Sequence, residues 1–433
     1  MRHSPIGLLL SLAVLFAAAC GGAGGGATPS AAVPQGGTLI GGPASIATLT
    51  TAQLDAMTAK SGQQAQSGTA RCDVSVFQVN YQTAGVQASE MSNASAAILV
   101  PSGAACPGPF PLIAWARGTQ VAKAYANANP TDPAAQLPMT FFASQGYAVV
   151  ATDYLGYALS EYPYHPYMHA DSEASSVIDS IRAARLAAPA LGLTLNGKVM
   201  LSGYSQGGHA AMAAQRGIQQ SAASEFDVVA AAELAGPYNV SGALVKGAAT
   251  PIGGVQVFVP FEITAFQKIY GNVYAKATDV FNAPYASYME SLLPTTDEAG
   301  LATKLPAGTP VQAQKAMFTA AFITDLANNP ANGTTVAATK QDLLGWSPKA
   351  PTVLCGSSDD PVVSFATNGQ TAHADFQRRG LTNVSIADVA AQVATADASV
   401  KASDPATYES NYHGQYEPPF CLAVARQLFD QFK

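Results

Sequence analysis

Short apolar runs alternate with segments of helical character through the middle of this 433-residue chain. Three runs, at residues 110–119, 146–156 and 197–205, are the length of strands and contain glycine at or near their ends. Between the last two lie residues 170–190, whose apolar side chains recur near helical spacing. Strands that are apolar throughout are covered on both faces, so the alternation predicts an α/β domain with a mostly parallel, doubly wound sheet.

This alternation is interrupted once. A further strand is predicted at residues 227–238, and a strand with its loop follows at 350–363. Between them, residues 240–348 are rich in aromatic side chains and lack the strand–helix rhythm. We therefore predict one domain over residues 61–433, with an insertion at about 240–348.

The first sixty residues are predicted to lie outside this domain. Residues 1–19 have a basic start and an apolar run that ends in small side chains, which is typical of a signal peptide. Cys20 resembles the lipidated cysteine of a bacterial lipobox, and residues 20–60 are predicted to form a flexible tether to the membrane. We expect export as an outer-membrane or cell-surface lipoprotein, with simple secretion as the alternative.

Composition excludes some partners. Charged residues make up 11% of the chain, the net charge is −7, and there is no basic run. Nucleic acid is therefore not an expected partner. No histidine, cysteine and carboxylate residues share the sequence spacing of a metal site, and there is no phosphate-binding loop, so we expect no metal and no organic cofactor.

Four cysteines remain once Cys20 is set aside: Cys72, Cys106, Cys355 and Cys421. An even number in an exported protein predicts two disulfides, with three possible connectivities. Four buried free thiols are the alternative.

The stretch Gly203-x-Ser205-x-Gly207 follows a predicted strand and precedes a predicted helix. That context is typical of a nucleophile elbow, in which a serine is held on a turn too tight for side chains at the neighbouring positions. A glycine-rich turn without chemistry is the alternative. We interpret Ser205 as a nucleophile.

A serine hydroxyl requires a base to take its proton, and a carboxylate to orient that base. The elbow fold carries these groups in the chain order serine, acid, histidine. Of the six histidines, only His413 follows both the serine and the expected acid loop at a workable distance. We interpret His413 as the base; a histidine of an ordinary surface loop is the alternative.

The acid is expected in the loop after the strand that follows the insertion. Asp359 and Asp360 are both candidates there. We favour Asp360, because it directly precedes the apolar turn formed by residues 361–363. The backbone N–H groups of Gln206 and Thr119 are predicted to stabilise an oxyanion, although an ordinary Gly118–Thr119 turn is the alternative.

Six segments of the chain resemble the secretory lipase family of α/β-hydrolases, which includes exported bacterial lipases and esterases. They are RGT at 117–119, GYAVVATDYLGY at 146–157, HPYMHA at 165–170, GYSQGG at 203–208, CGSSDDPVV at 355–363 and YHGQYEPPFC at 412–421. The resemblance covers about residues 70–433. It implies a helical cap inserted between the sixth and seventh strands, over an acyl pocket. It also implies the roles of nucleophile, acid and base for Ser205, Asp360 and His413, while Arg117 stands where the family more often has histidine.

Two groups of aromatic and histidine residues have open interpretations. Tyr154, Tyr157, His165 and His169 either shape the mouth of the pocket or hold their own loop in place. The aromatic residues of 256–290 either line an acyl channel or form the core of the inserted segment.

The expected contact of Asp360 with His413 also predicts the disulfide connectivity. Cys355 lies five residues before the acid, and Cys421 lies eight residues after the histidine. We therefore expect Cys355 to pair with Cys421, which leaves Cys72 to pair with Cys106.

We thus expect an exported lipase or carboxylesterase that cleaves acyl esters or lipids through an acyl-enzyme. The alternatives are a peptidase on the same fold and a non-catalytic binding lipoprotein of the cell envelope.

Overall fold

The structure is a computed structural model that describes residues 36–87 and 89–433. The predicted signal peptide, the candidate lipidation site Cys20 and the first part of the predicted tether lie outside the described residues. Within the described part, no helix combines the length and the apolar character that a membrane span requires.

A nine-stranded sheet forms the centre of the described chain. Its strands are β1 Ala44–Leu49, β2 Asp73–Ala84, β3 Met91–Ser102, β4 Phe110–Ala116, β5 Ala148–Thr152, β6 Leu195–Tyr204, β7 Asp227–Leu234, β8 Thr352–Gly356 and β9 Val384–Asp388. Their spatial order is β1-β2-β3-β5-β4-β6-β7-β8-β9. The pairs from β5 to β9 are parallel, whereas β1, β2, β3 and β5 pair in antiparallel fashion. The predicted mostly parallel α/β sheet is confirmed.

Helices cover both faces of this sheet. In chain order they are α1 Thr51–Ser61, α2 Gln64–Ser67, α3 Pro133–Phe141, α4 Ala170–Ala187, α5 Gln206–Ser221, α6 Val240–Ala249, α7 Val255–Tyr270, α8 Ala277–Val280, α9 Met289–Leu292, α10 Glu298–Leu301, α11 Pro310–Met317, α12 Ala320–Asn328, α13 Gly333–Thr339, α14 Gly369–Arg378, α15 Ala390–Ala396, α16 Ala398–Ser403, α17 Pro405–Asn411 and α18 Pro418–Phe429. Short 3₁₀ turns occupy Ala143–Gln145, Ala188–Leu191, Tyr285–Ser287 and Ala302–Lys304.

The central strands are apolar because both of their faces are buried. Consecutive residues of β5 show this: Val150 packs into the core that α4 and α5 cover, while Val149 packs into the opposite core with residues of α3 and α18. Every residue of β4, β5 and β8 is buried. Side chains alternate between the faces of a strand, so a strand buried on both sides is apolar at most of its positions.

The predicted flexible tether over residues 20–60 is wrong for the part that the structure describes. Residues 44–49 form β1, which pairs with the edge strand β2, and α1 follows with a capping box at Thr50. Leu54 of α1 is buried against the sheet. Alanine- and threonine-rich sequence does not itself distinguish a linker from an edge strand, because the partner that orders it is distant in the chain.

The predicted insertion lies between β7 and β8 and contains helices α6 to α13. The family resemblance implied an insertion between the sixth and seventh strands; with β1 counted, these are β7 and β8. We call residues 240–348 the insert. Most of its aromatic side chains pack in or against one hydrophobic cluster, in which Phe261, Phe266 and Phe281 are buried.

Two disulfides are present, and both have the expected pairing. Cys72 bonds Cys106 with a Cα–Cα distance of 5.5 Å. Cys355 at the end of the chain's eighth strand bonds Cys421 of α18 with a Cα–Cα distance of 5.6 Å. The second bridge ties the strand before the candidate acid to the helix after the candidate base.

Candidate active site

Ser205 lies on the sharp turn between β6 and α5. Its backbone has φ 60° and ψ −123°, a conformation that non-glycine residues rarely adopt. A Cβ added to Gly203 would lie 2.1 Å from the carbonyl oxygen of Gly207, and one added to Gly207 would lie 1.9 Å from that of Ala116. Both distances are far below van der Waals contact. The glycines are therefore required by the close approach of three backbone segments beneath the serine.

His413 lies in a single π-helical turn, Tyr412–Tyr416, between α17 and α18. Its Nε2 is 2.8 Å from Ser205 Oγ, and its Nδ1 is 2.7 Å from Asp360 Oδ2. A carboxylate only accepts hydrogen bonds, so Nδ1 carries the proton and Nε2 accepts from the serine hydroxyl. The structure thus brings the predicted serine, histidine and aspartate into one hydrogen-bonded chain.

Asp360 and Asp359 have different environments. Asp360 Oδ1 accepts hydrogen bonds from the backbone N–H groups of Val362, at 2.8 Å, and Val363, at 3.2 Å, within the turn that follows it. Its other oxygen faces His413. Asp359 is instead half exposed, with Lys401 Nζ 3.8 Å from its carboxylate. Of the two candidates, Asp360 is the one in contact with the histidine.

A second carboxyl group, that of Glu417, lies beside this pair. Glu417 is fully buried, and burial together with the charge of Asp360 raises the pKa of its carboxyl well above the ordinary value. Potential ligand atoms of Asp360, His413 and Glu417 lie within 4.8 Å of one another. Two of these residues already hydrogen-bond each other, and the raised pKa keeps Glu417 protonated, so the cluster is poorly suited to a cation.

The loop after β4 approaches the serine from the other side. A Cβ on Gly118 would lie 3.3 Å from the carbonyl oxygen of Tyr204 and 3.7 Å from Ser205 Cβ. The next residue, Thr119, shares a 2.7 Å hydrogen bond between its hydroxyl and that of Tyr167. Gln206 begins α5, where backbone N–H groups have no partner within the helix. Both predicted oxyanion donors therefore belong to segments that adjoin Ser205.

The side chain of Arg117 anchors the loop after β4. Its guanidinium is buried with three tyrosine rings around it, the nearest being Tyr157 at 4.1 Å from the ring centroid. It donates hydrogen bonds of 2.9 Å to the carbonyl oxygens of Gly118 and Asp153. The arginine thus joins the loop after β4 to the loop after β5.

A buried polar network that the sequence did not reveal fixes the side chain of Gln206. Its Nε2 donates to Glu173 Oε1 at 2.8 Å and lies 2.7 Å from His165 Nε2. Burial and the charge of Arg117 lower the pKa of His165 to about 3, so this imidazole is neutral and accepts. The other oxygen of Glu173 bonds His209 Nδ1 at 2.7 Å.

The histidine- and tyrosine-rich loop makes hydrogen bonds within itself and to the loop after β4, where the hydroxyls of Tyr154 and Tyr157 donate to the carbonyl oxygens of Arg117 and Gln120. His165 Nδ1 donates to the carbonyl oxygen of Leu155, and His169 caps α4 by accepting from the N–H of Ser172. The only sequence signal for the network behind Gln206 was a set of polar residues on otherwise apolar helix faces, such as Glu173 in α4.

A cavity of about 280 Å³ extends from Ser205 into the insert. Its walls are mostly apolar and come from α6, α7, α11, α12 and the turn after Asp360. Phe258 and Phe318 are the aromatic side chains that the insert contributes to the wall. The aromatic residues of 256–290 therefore divide between the two interpretations, with Phe258 in the pocket and the others in or against the hydrophobic cluster of the insert.

The sequence matches the family model for secretory lipases over residues 134–407. Among solved structures, the rice cell wall degrading esterase LipA from Xanthomonas oryzae is 35% identical, with a TM-score of 0.81; the match covers 92% of this chain and 100% of LipA. Candida antarctica lipase A in its closed state is 16% identical, with a TM-score of 0.58 over 82% of this chain and 77% of that one, which shows the fold alone. No curated protein matches the sequence.

The family match spans well over half of the chain, and the likeness to LipA extends over almost all of it. These matches and the nine-stranded sheet agree with one another. The chain therefore belongs to the secretory lipase family and is a carboxylic ester hydrolase of the α/β-hydrolase fold.

Proposed function

We propose that this enzyme is an exported serine hydrolase that cleaves carboxylic esters through an acyl-enzyme. The observation that carries the proposal is the continuous hydrogen-bonded chain from Ser205 Oγ through His413 to Asp360, with distances of 2.8 and 2.7 Å. A nucleophile, a base within reach of its proton and a carboxylate that orients the base are the parts that acyl transfer requires.

In the proposed reaction, Ser205 Oγ attacks the ester carbonyl as His413 Nε2 takes its proton. The tetrahedral oxyanion accepts hydrogen bonds from the backbone N–H groups of Thr119 and Gln206. His413 then protonates the leaving alkoxide as the C–O bond breaks, which leaves an acyl-serine. Water, deprotonated by the same imidazole, hydrolyses this ester and returns Ser205 to its starting state.

The pocket supports an acyl ester or lipid as the substrate. Its wall is mostly apolar, so it favours an acyl chain over a peptide backbone, whose amide groups require hydrogen-bond partners. We propose that the insert acts as a cap over this pocket. Val259→Phe should then shift the preference among p-nitrophenyl esters toward shorter chains. Val336→Phe, at an exposed position of the insert outside the pocket wall, is the matched control. An equal loss of activity on esters of all chain lengths would contradict the proposal that the insert caps the pocket.

Export is supported by the family and by the two disulfides, which are typical of oxidising compartments. We propose that residues 1–19 are removed and that Cys20 carries the lipid anchor, with the segment before β1 acting as a short tether. Metabolic labelling with a fatty acid should mark the wild-type protein and not Cys20→Ala. Labelling of both proteins, or of neither, would contradict lipidation at Cys20.

A fluorophosphonate probe tests the nucleophile directly. The wild-type protein should be labelled and inactivated together, while Ser205→Ala should neither react nor hydrolyse p-nitrophenyl butyrate. An unlabelled wild-type protein would favour the non-catalytic binding alternative. Cleavage of peptide anilides at rates above those of esters would favour a peptidase.

A further inference from the structure

Besides Asp360, a second carboxyl group, that of Glu262, lies in the mostly apolar wall of the pocket. Helix α7 contributes Val255, Phe258, Val259 and Glu262 to this wall. Their spacing of three and four residues places them on one helical face. Three of the four are apolar, so Glu262 lies where the pattern predicts a further apolar side chain.

Glu262 is deeply buried, with 9% of its surface exposed, and within the described residues its Oε1 has no hydrogen-bond partner. A buried polar group without a hydrogen-bond partner destabilises the folded state. The charged residues that influence this carboxyl most, Asp342 and Glu173, are themselves acidic. Among the described residues, Oε1 of Glu262 therefore has no partner, and the charged side chains that influence the carboxyl most are not counter-ions.

Burial and these two acidic neighbours raise the pKa of Glu262 to about 8. The carboxyl is consequently protonated at neutral pH, when it both donates through its O–H and accepts through its other oxygen. A hydroxyl group has the same double capacity and is its natural complement. An ammonium group is disfavoured, because the cationic side chain of Lys246 lines the same cavity.

We propose that the pocket takes acyl groups that carry a hydroxyl substituent, and that Glu262 exchanges hydrogen bonds with this hydroxyl. The inference rests on the proposed function, since it assigns the acyl group to the cavity that contains Ser205. It names a substrate class that an apolar wall alone would disfavour, because a hydroxyl buried without a partner is destabilising.

The test compares matched pairs of esters: p-nitrophenyl hexanoate with 6-hydroxyhexanoate, and butyrate with 3-hydroxybutyrate. In the wild-type enzyme the ratio of kcat/KM, hydroxylated over plain, should exceed one for at least one pair. Glu262→Leu should lower that ratio by about tenfold or more, because the hydroxyl then has no partner. Glu262→Gln, which keeps a donor and an acceptor, should preserve most of it. Val259→Leu, which reshapes the same wall without a polar change, should not lower the ratio for both pairs.

A structural role for Glu262 gives a different result. If the carboxyl only supports the fold, Glu262→Leu and Glu262→Gln should lower kcat/KM equally for both members of each pair and lower the melting temperature. Our proposal expects Glu262→Leu to raise the melting temperature, because it replaces an unpartnered buried carboxyl by an apolar side chain. An unchanged ratio in Glu262→Leu, or a wild-type enzyme that never favours the hydroxylated ester, would overturn the proposal.

A separate test asks whether Glu262 recognises a hydroxyl on the acyl half or on the alcohol half of the ester. Butyl hexanoate and 4-hydroxybutyl hexanoate differ only in the alcohol half, and Glu262→Leu should leave their ratio unchanged. A Glu262-dependent preference confined to this pair would overturn the assignment to the acyl half. Activity that persists in Ser205→Ala would instead contradict the proposed function, while the ester ratios would still report on Glu262.

Discussion

The phenol of Tyr204 donates a 2.6 Å hydrogen bond to the backbone carbonyl of His413, although the two residues are 209 positions apart in the chain. Tyr204 is the residue immediately before the nucleophilic Ser205 of our proposal. The bond therefore ties the turn that carries the serine to the turn that carries the histidine, and it leaves the imidazole free for proton transfer. The position of His413 is therefore set by a hydrogen bond to its backbone as well as by Asp360.

We predict that Tyr204→Phe lowers kcat by about tenfold and changes KM little, because a small displacement of the base is costly for proton transfer. Steady-state kinetics with p-nitrophenyl butyrate measures both parameters. Tyr147→Phe removes a comparable hydroxyl, which hydrogen-bonds Asp430 far from the site, and should leave kcat unchanged. Equal losses in the two variants would contradict a specific role for Tyr204.

Replacement of each candidate acid, Asp360 or Asp359, by asparagine should have unequal effects on kcat. Asp360→Asn should lower kcat by about three to four orders of magnitude, because the amide can hold His413 in the wrong tautomer. Asp359→Asn removes only an exposed, long ion pair with Lys401, which contributes about 0–1 kcal/mol, and should be nearly silent. The reverse ranking in kcat would exclude Asp360 as the orienting acid.

Arg117 is predicted to position the loop that presents Thr119. Arg117→Met keeps much of the side-chain volume but loses both hydrogen bonds to backbone carbonyls, so kcat should fall by about tenfold to a hundredfold as the oxyanion donor shifts. Arg117→His, the residue more common in the family, should retain more activity than the methionine variant. Circular dichroism should show both variants folded at the assay temperature. A methionine variant with normal kcat would contradict this role.

The two disulfides should differ in what they protect. Cys355–Cys421 closes a segment that contains Asp360 and His413, whereas Cys72–Cys106 lies near the start of the sheet. Cys421→Ser should lose activity at temperatures where circular dichroism still reports a folded protein. Cys72→Ser should mainly lower the melting temperature, because loss of a native disulfide typically lowers the free energy of unfolding by about 2–5 kcal/mol. Parallel loss of activity and fold in both variants would contradict the distinction.

Glu262 should make stability depend on pH. Its pKa is raised from an ordinary value of 4.5 to about 8, so between these values the folded protein keeps a proton that the unfolded chain releases. The stability that this proton contributes is complete at low pH, declines as pH rises and is lost by about pH 8. The free energy of unfolding, measured by urea denaturation from about pH 5.5 to about pH 7.5, should fall less steeply with pH in Glu262→Gln than in the wild-type protein. The difference in slope should correspond to at most about one proton. Identical slopes would show that the carboxyl titrates normally.

Local pattern was sufficient to predict the strands β4 to β8, the interruption between β7 and β8, and the turn at Ser205. Strands buried on both faces are apolar at most of their positions, and a turn crossed by neighbouring backbone allows only glycine at positions 203 and 207. The chain order of serine, acid and histidine then narrowed the candidate base to His413. Disulfide pairing followed from the same order, because Cys355 and Cys421 flank residues expected to touch.

Only the tertiary structure decided which residues surround these groups. Residues 44–49 became a strand because β2 offered an unpaired edge. Glu173 became part of the site because α4 packs against α5, which brings its carboxylate into hydrogen-bond contact with Gln206 and His209. Glu262 reads in the sequence as one polar residue in an apolar helix, and only the packing of the insert over Ser205 places it in a pocket wall. Strand burial and backbone clashes constrain residues that are close in the chain, so they produce local sequence patterns. The partner of a buried polar group depends on contacts between segments that are distant in the chain, and no local pattern records those contacts.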